Sequence, residues 1–100
     1  MAAPTRRNLP QRAYTTTVHF FATGSVSHPD KLAALSGEET RVLNQLRAEG
    51  TVVAAYRRVT GGVVGVFQGA SLVEVQAQLA RLPFVANGYL TFEYVEAVEL

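Results

Sequence analysis

TVVAAYRRVTGGVVGVFQ, residues 51–68, is the stretch whose reading decides the fold. Valine, threonine and aromatic side chains dominate it, and Thr60-Gly61-Gly62 interrupts it once. It therefore predicts a strand over Thr51–Val59, a tight turn, and a second strand over Val63–Gln68, together a β-hairpin. A helical pattern flanks the hairpin on each side. Upstream, Ser36-Gly37-Glu38-Glu39 has the spacing of a capping box, with serine at N-cap and glutamate at N3. Val42, Leu43 and Leu46 follow at helical spacing and Gly50 suits a C-terminal stop, which predicts a helix over 36–49. Pro29, Leu32 and Leu35 suggest a short lead-in turn. Downstream, Ser71-Leu72-Val73-Glu74 repeats the box, Leu72, Val75, Leu79 and Leu82 form the buried stripe, and Pro83 stops the helix.

Further out, Tyr14–Thr23 is dense in β-branched and aromatic residues and predicts the first strand. One face carries Tyr14, Thr16, Val18, Phe20 and Ala22, and the other Thr15, Thr17, His19, Phe21 and Thr23. Gly24 to Pro29 reads as the turn that closes it. After Asn87-Gly88, residues Tyr89 to about Glu99 predict the last strand. The order βαββαβ is the ferredoxin-like plan, an α+β fold with a four-stranded antiparallel sheet.

Two helices cover only one face of such a sheet. The strands are nonetheless apolar on both sides: Val52 and Val53, Val63 and Val64, Leu90 and Val95. An uncovered apolar face of that size predicts association. Two sheets packed face to face in a homodimer, a dimeric α+β barrel, is the economical arrangement, with a cavity between sheet and helices in each subunit. Whether such dimers pair further into larger rings stays open.

The composition fits one domain. The chain has 100 residues, 48% apolar and 17% charged, with no cysteine. Disulfide scaffolds, thiolate metal sites and cysteine nucleophiles are thereby excluded. The net charge of +1 hides a division. Residues 1–13 carry Arg6, Arg7 and Arg12 with no acid, and read as a flexible basic leader; residues 14–100 have six bases against eight acids and form the domain. Three arginines on a leader do not make the broad basic face that nucleic acid requires. No apolar run approaches the roughly 20 residues that span a bilayer, so neither nucleic acid nor membrane is an expected partner. Arg6-Arg7 is followed by Asn-Leu-Pro-Gln-Arg rather than an apolar stretch, so no export signal is read and a cytoplasmic location is expected.

From Leu35 to the last strand, about two-thirds of the chain, the residues resemble the muconolactone delta-isomerase family of the dimeric α+β barrel superfamily. The resemblance lies in the order of its motifs. Glu38-Glu39 opens the first helix, and Leu46-x-x-Glu49-Gly50-Thr51 ends it. Tyr56-Arg57 stands where the family usually has Trp-Arg, before a glycine turn and a Val-Phe strand ending. Leu82-Pro83-Phe84 then opens the loop before Tyr89. Two departures are plain: Ser36 occupies the position of a common lysine, and Gly61-Gly62 leads straight to Val63 without the histidine that often follows. The resemblance implies proton transfer next to a lactone carbonyl, with no metal and no organic cofactor. The absence of a phosphate loop, of GxGxxG and of a His/Cys cluster is compatible with that chemistry.

Such a reaction needs a base, a cation or donor at the developing oxyanion, and a water-poor pocket. Glu39 matches the family's acidic position and is a candidate base, although a capping role explains it as well. His19, mid-strand, is the other candidate base, with an interface role as its alternative. Arg57 is the candidate anion stabiliser, its alternative being a salt bridge to Glu93 or Glu96. As neighbours in a strand, Arg57 and Arg58 are expected on opposite faces, so only one would enter a cavity. Tyr56, Phe21, Phe67, Phe84 and Tyr94 are candidate substrate-binding residues, and His28 reads as a surface residue. Glu38 and Glu39 diverge by about 100° on a helix and cannot act as a glycosidase-type pair. The expected function is a cofactor-free isomerase or cyclase acting on a small hydrophobic carbonyl compound, a lactone or a polycyclic natural-product type. A cofactor-independent monooxygenase of anthrone-type substrates and a non-catalytic ligand-binding dimer are the alternatives.

Overall fold

The structure is a computed structural model and describes residues 18–100. The expected basic leader and the start of the first strand at Tyr14 lie outside those residues. Strand β1 (Val18–Val26) leads through two single-turn 3-10 helices (Pro29–Lys31 and Ala33–Leu35) into helix α1 (Ser36–Ala48). Strands β2 (Val52–Arg57) and β3 (Val63–Gln68) follow, then α2 (Leu72–Leu79), a short α3 (Pro83–Ala86) and β4 (Leu90–Val98). The four strands form one open sheet in the order β2-β3-β1-β4, every neighbouring pair antiparallel. This α+β arrangement is compatible with the ferredoxin-like plan.

The pairing register sorts the side chains into two faces. Phe20 sits between Phe67 and Glu96, and Ala22 between Gly65 and Tyr94. On this inner face Phe20, Ala22, Phe67, Val52 and Leu90 are buried under Val42 and Leu46 of α1, Val75 and Leu79 of α2, and Leu82. Full burial of an aliphatic side chain of this kind contributes about 1.5–3 kcal/mol. The intervening residues face away from the helices. Phe21 (46% exposed), Val53 (48%), Tyr56 (63%) and Val95 (65%) lie there uncovered.

Local chemistry explains where the elements begin and end. β1 runs past Thr23 because Gly24 acts as a strand residue rather than a turn. A Cβ on Gly24 would stand 2.6 Å from Val63 Cγ2 and 2.9 Å from Leu90 Cδ1, so only glycine lets the sheet and its inner side chains close there. Gly50, at φ +90°, ends α1: its N–H reaches the Arg47 carbonyl at 3.1 Å and Thr51 N–H reaches the Leu46 carbonyl at 3.0 Å. Ser71 caps α2 as expected. Its backbone is extended, its hydroxyl accepts from Glu74 N–H at 3.1 Å, and Glu74 Oε1 accepts from Ala70 N–H at 2.6 Å.

The matching pattern at Ser36 does not cap. The chain arrives at α1 through helical turns, so Ser36 itself has helical dihedrals and its hydroxyl donates to the Ala33 carbonyl at 3.0 Å. N-caps need extended backbone, and Glu39 is turned inward instead. Pro83 also does more than stop a helix: α2 ends earlier, at Leu79, and Pro83 opens α3. Ser71→Ala should therefore cost about 1 kcal/mol in urea unfolding. Ser36→Ala should stay within about 0.5 kcal/mol of the parent chain, and equal losses at the two serines would contradict this difference.

Candidate functional site

Glu39 lies one turn into α1, on the side facing the sheet. Its Oε1 accepts the Phe84 backbone N–H at 2.9 Å, a bond that ties α1 to the start of α3. The carboxyl is half-buried, and that burial raises its pKa above the ordinary 4.5, outweighing the Phe84 N–H, which pulls it down. Its surroundings are apolar. A cavity of about 70 Å³ lies against it, walled by Leu43, Ala55, Gly65, Phe67, Leu82 and Phe92. Glu39 is the one ionisable side chain in that lining.

Val63 and Leu90 line this cavity and also the larger cleft beside it, of about 570 Å³. Pro29, Leu32 and Phe84 form apolar walls of the cleft, and Arg57, Arg58 and the Thr60-Gly61-Gly62 turn form its rim. Arg57 reaches it because it pairs with Val63, which pairs with Gly24 on the inner face. An irregularity at Val52/Ala54 in β2 sets this phase.

Arg58 corrects the expectation that the two arginines diverge. The strand alternation stops at Arg57, where β2 ends. Arg58 belongs to the turn, its N–H donating to the Gly62 carbonyl at 2.9 Å and its carbonyl accepting from Gly61 N–H at 3.0 Å. Gly61 and Gly62, both at positive φ, allow that geometry. Released from the pleat, Arg58 lines the same cleft as Arg57. The expected alternative partners of Arg57, Glu93 and Glu96, belong to β4 at the far edge of the sheet. Among the described residues the ion pairs are Arg41–Glu38 and Arg81–Glu49.

The structure thus brings Glu39, Arg57, Phe67 and Phe84 to the helix side of the sheet. Tyr94 shares the inner face, packs on Phe92 with ring centres 5.9 Å apart, and has its pKa raised by burial, but lines neither cavity. His19, Phe21 and Tyr56 lie on the opposite face, paired with Gln68, Val66 and Val64 respectively. His19 and Glu39 are therefore separated by the sheet and cannot share one substrate within one copy of the chain. His28 is exposed, as expected, although it adopts a left-handed conformation (φ +57°) and tilts against Tyr89 at 5.5 Å. Sequence reasoning missed Arg58, Leu82 and Leu90. The signal for Arg58 was the Gly61-Gly62 pair three residues on, whose turn could end the strand before it.

Among the described residues no group of three or more His, Asp or Glu side chains is placed to hold a metal ion. No helix among them is long and apolar enough to cross a membrane. The chain matches no protein-family model, and no curated protein matches its sequence.

The raised pKa of Glu39 has a signature in stability. A carboxyl whose pKa rises on folding holds more protons in the native state, so its contribution is fully present below 4.5 and is lost as pH climbs through the raised value. Glu38 and Glu49 are held low, chiefly by hydrogen bonds from Arg41 and Arg81, and act in the opposite sense below 4.5. Urea unfolding from pH 4.5 toward neutrality should show the parent chain losing stability relative to Glu39→Gln. A difference that stays flat over that range would place Glu39 in water.

Proposed function

We propose that the chain is a cofactor-free isomerase or cyclase of the muconolactone delta-isomerase kind, which moves a proton next to a carbonyl. Glu39 is the base and Arg57 the cation for the developing enolate. The reading is carried by one observation: the Glu39 carboxyl is held by the Phe84 N–H against an apolar cavity that shares its Val63 and Leu90 walls with a cleft rimmed by Arg57. The Phe84 bond occupies Oε1 and leaves Oε2 for a C–H proton. Burial makes the carboxylate a stronger base than one in water. Apolar walls keep the local dielectric low and strengthen the pull of the guanidinium on an enolate oxygen. Glu39 then returns the proton to a second carbon, so the double bond shifts with no change of oxidation state.

The working unit in this proposal is a dimeric α+β barrel. The outer face with Phe21, Val64, Tyr56 and Val95 would pack on the same face of a second copy, as its apolar surface favours. His19 would then lie at the interface rather than in the reaction. A second reading, a cofactor-independent monooxygenase acting on an anthrone-type substrate, uses the same base and is favoured by the size of the cleft.

Proton NMR of unsaturated lactones and cyclic enones in deuterium oxide tests the base. Exchange should occur without oxygen uptake, and Glu39→Gln should slow it by about 100-fold or more. Oxygen consumption with an anthrone would shift the assignment to the monooxygenase. Neither exchange nor oxygen use by a folded protein would leave a ligand-binding module. Sedimentation should report a dimer that Val95→Glu dissociates, and a parent chain that sediments as a monomer would remove the barrel.

A further inference from the structure

The cleft carries one more cation than the proposed reaction needs. An enolate has a single transient charge, for which Arg57 suffices. Arg58 lines the same cleft from its turn, its Cδ lying alongside Gly62. No aspartate or glutamate lines the cleft. The ion pairs of the described residues involve Arg41 and Arg81 instead. Residues 1–17 contain no acid at all, so that segment cannot neutralise the pair either. Two arginines lining one cleft, with no carboxylate in that lining, give it a positive field that an anionic ligand would relieve. Planar forked donors match the two oxygens of a carboxylate.

The volumes add a size requirement. The cavity at Glu39, about 70 Å³, admits only the reacting edge of a molecule. The adjoining cleft, about 570 Å³ and walled by Pro29, Leu32, Phe84 and Leu90, lies in the range of whole-ligand pockets, about 300–1,000 Å³.

We propose that Arg58 is a specificity-determining residue that holds a permanent carboxylate on a substrate of more than one ring, while Arg57 serves the reacting carbonyl. The inference builds on the proton-transfer reading but is tested by binding alone. Titration calorimetry on the full chain would use 2-anthracenecarboxylate, its neutral carboxamide, and benzoate. The anthracene acid should bind about tenfold or more tightly than the amide and more tightly than benzoate. The preference for acid over amide should shrink in 0.5 M salt. In Arg58→Gln the acid-to-amide ratio should fall toward one, and Arg58→Lys should restore part of it, with unchanged thermal melting showing that both variants fold. Equal affinity for acid and amide in the parent chain overturns the proposal, as does an undiminished ratio in folded Arg58→Gln. Benzoate binding as tightly as the anthracene acid removes the size requirement. Glu39→Gln should keep the ratio while losing exchange. Selectivity without exchange therefore sinks only the catalytic reading, and exchange without selectivity sinks only this one.

Discussion

The hydrogen bond from the Phe84 N–H to Glu39 Oε1 organises the helix side of the molecule. It joins residues 45 positions apart in sequence and sets the start of α1 against the start of α3. Phe84 belongs to the cleft wall and Glu39 to the cavity, so one bond links the two spaces in which a ligand would lie. The bond also resolves a competition. A glutamate at the start of a helix is ordinarily solvated or reaches back to the cap, where its charge is comfortable. Here the entry through 3-10 turns removes the cap geometry, and the carboxylate turns inward to the one backbone donor that offers partial compensation. The result is a carboxyl whose desolvation is only partly offset, which is the condition for a raised pKa.

A second constraint comes from the count of layers. α1, α2 and α3 all lie on one side of four strands, and the core is concentrated there. The opposite face keeps Phe21, Tyr56, Val64 and Val95 in water. Covering that face with another copy would leave the cleft free, because the two lie on opposite sides of the sheet. Association and ligand binding can thus proceed on one small domain without competing for the same residues.

What could be read from the sequence follows from how locally each feature is determined. The hairpin, the Gly50 stop, the Ser71 cap and the grouping of Val18, Phe20 and Ala22 on one face of β1 each depend on a few adjacent residues, and the structure has all of them. Ser36-Gly37-Glu38-Glu39 has the same pattern as the Ser71 box but a different outcome, because the conformation of the preceding residues decides it and the pattern does not contain them. Gly24 looks like a turn glycine until the inner side chains of β3 and β4 come to rest against it, a contact made by distant sequence. Arg58 fails for a simpler reason. Alternation predicts faces only within a strand, and β2 ends one residue earlier. Glu39, Arg57 and Phe84 could be picked out as residue types, but not the separation of His19 from Glu39. That depended on which face of β1 the helices cover, and the apolar character of both faces concealed it.

The electrostatic layout follows from the same geometry. Burial suits a base: removing Glu39 from water weakens its ionised form and increases its appetite for a proton. The same burial would be costly for an arginine, whose charge cannot be given up. The two arginines accordingly stay on the exposed rim, where their charge is solvated, while their field still extends along walls of low dielectric. A half-buried carboxyl in the small cavity and permanent cations at the cleft rim give the two spaces together a direction. An amphipathic anion entering it would leave its charged end at the rim and present its apolar, proton-bearing edge to the carboxyl. Reversing the two positions would strand a charge that cannot neutralise inside the protein and place the base in water, where it loses strength. The order of residues from rim to interior is therefore the one that the proposed binding and proton transfer would need together.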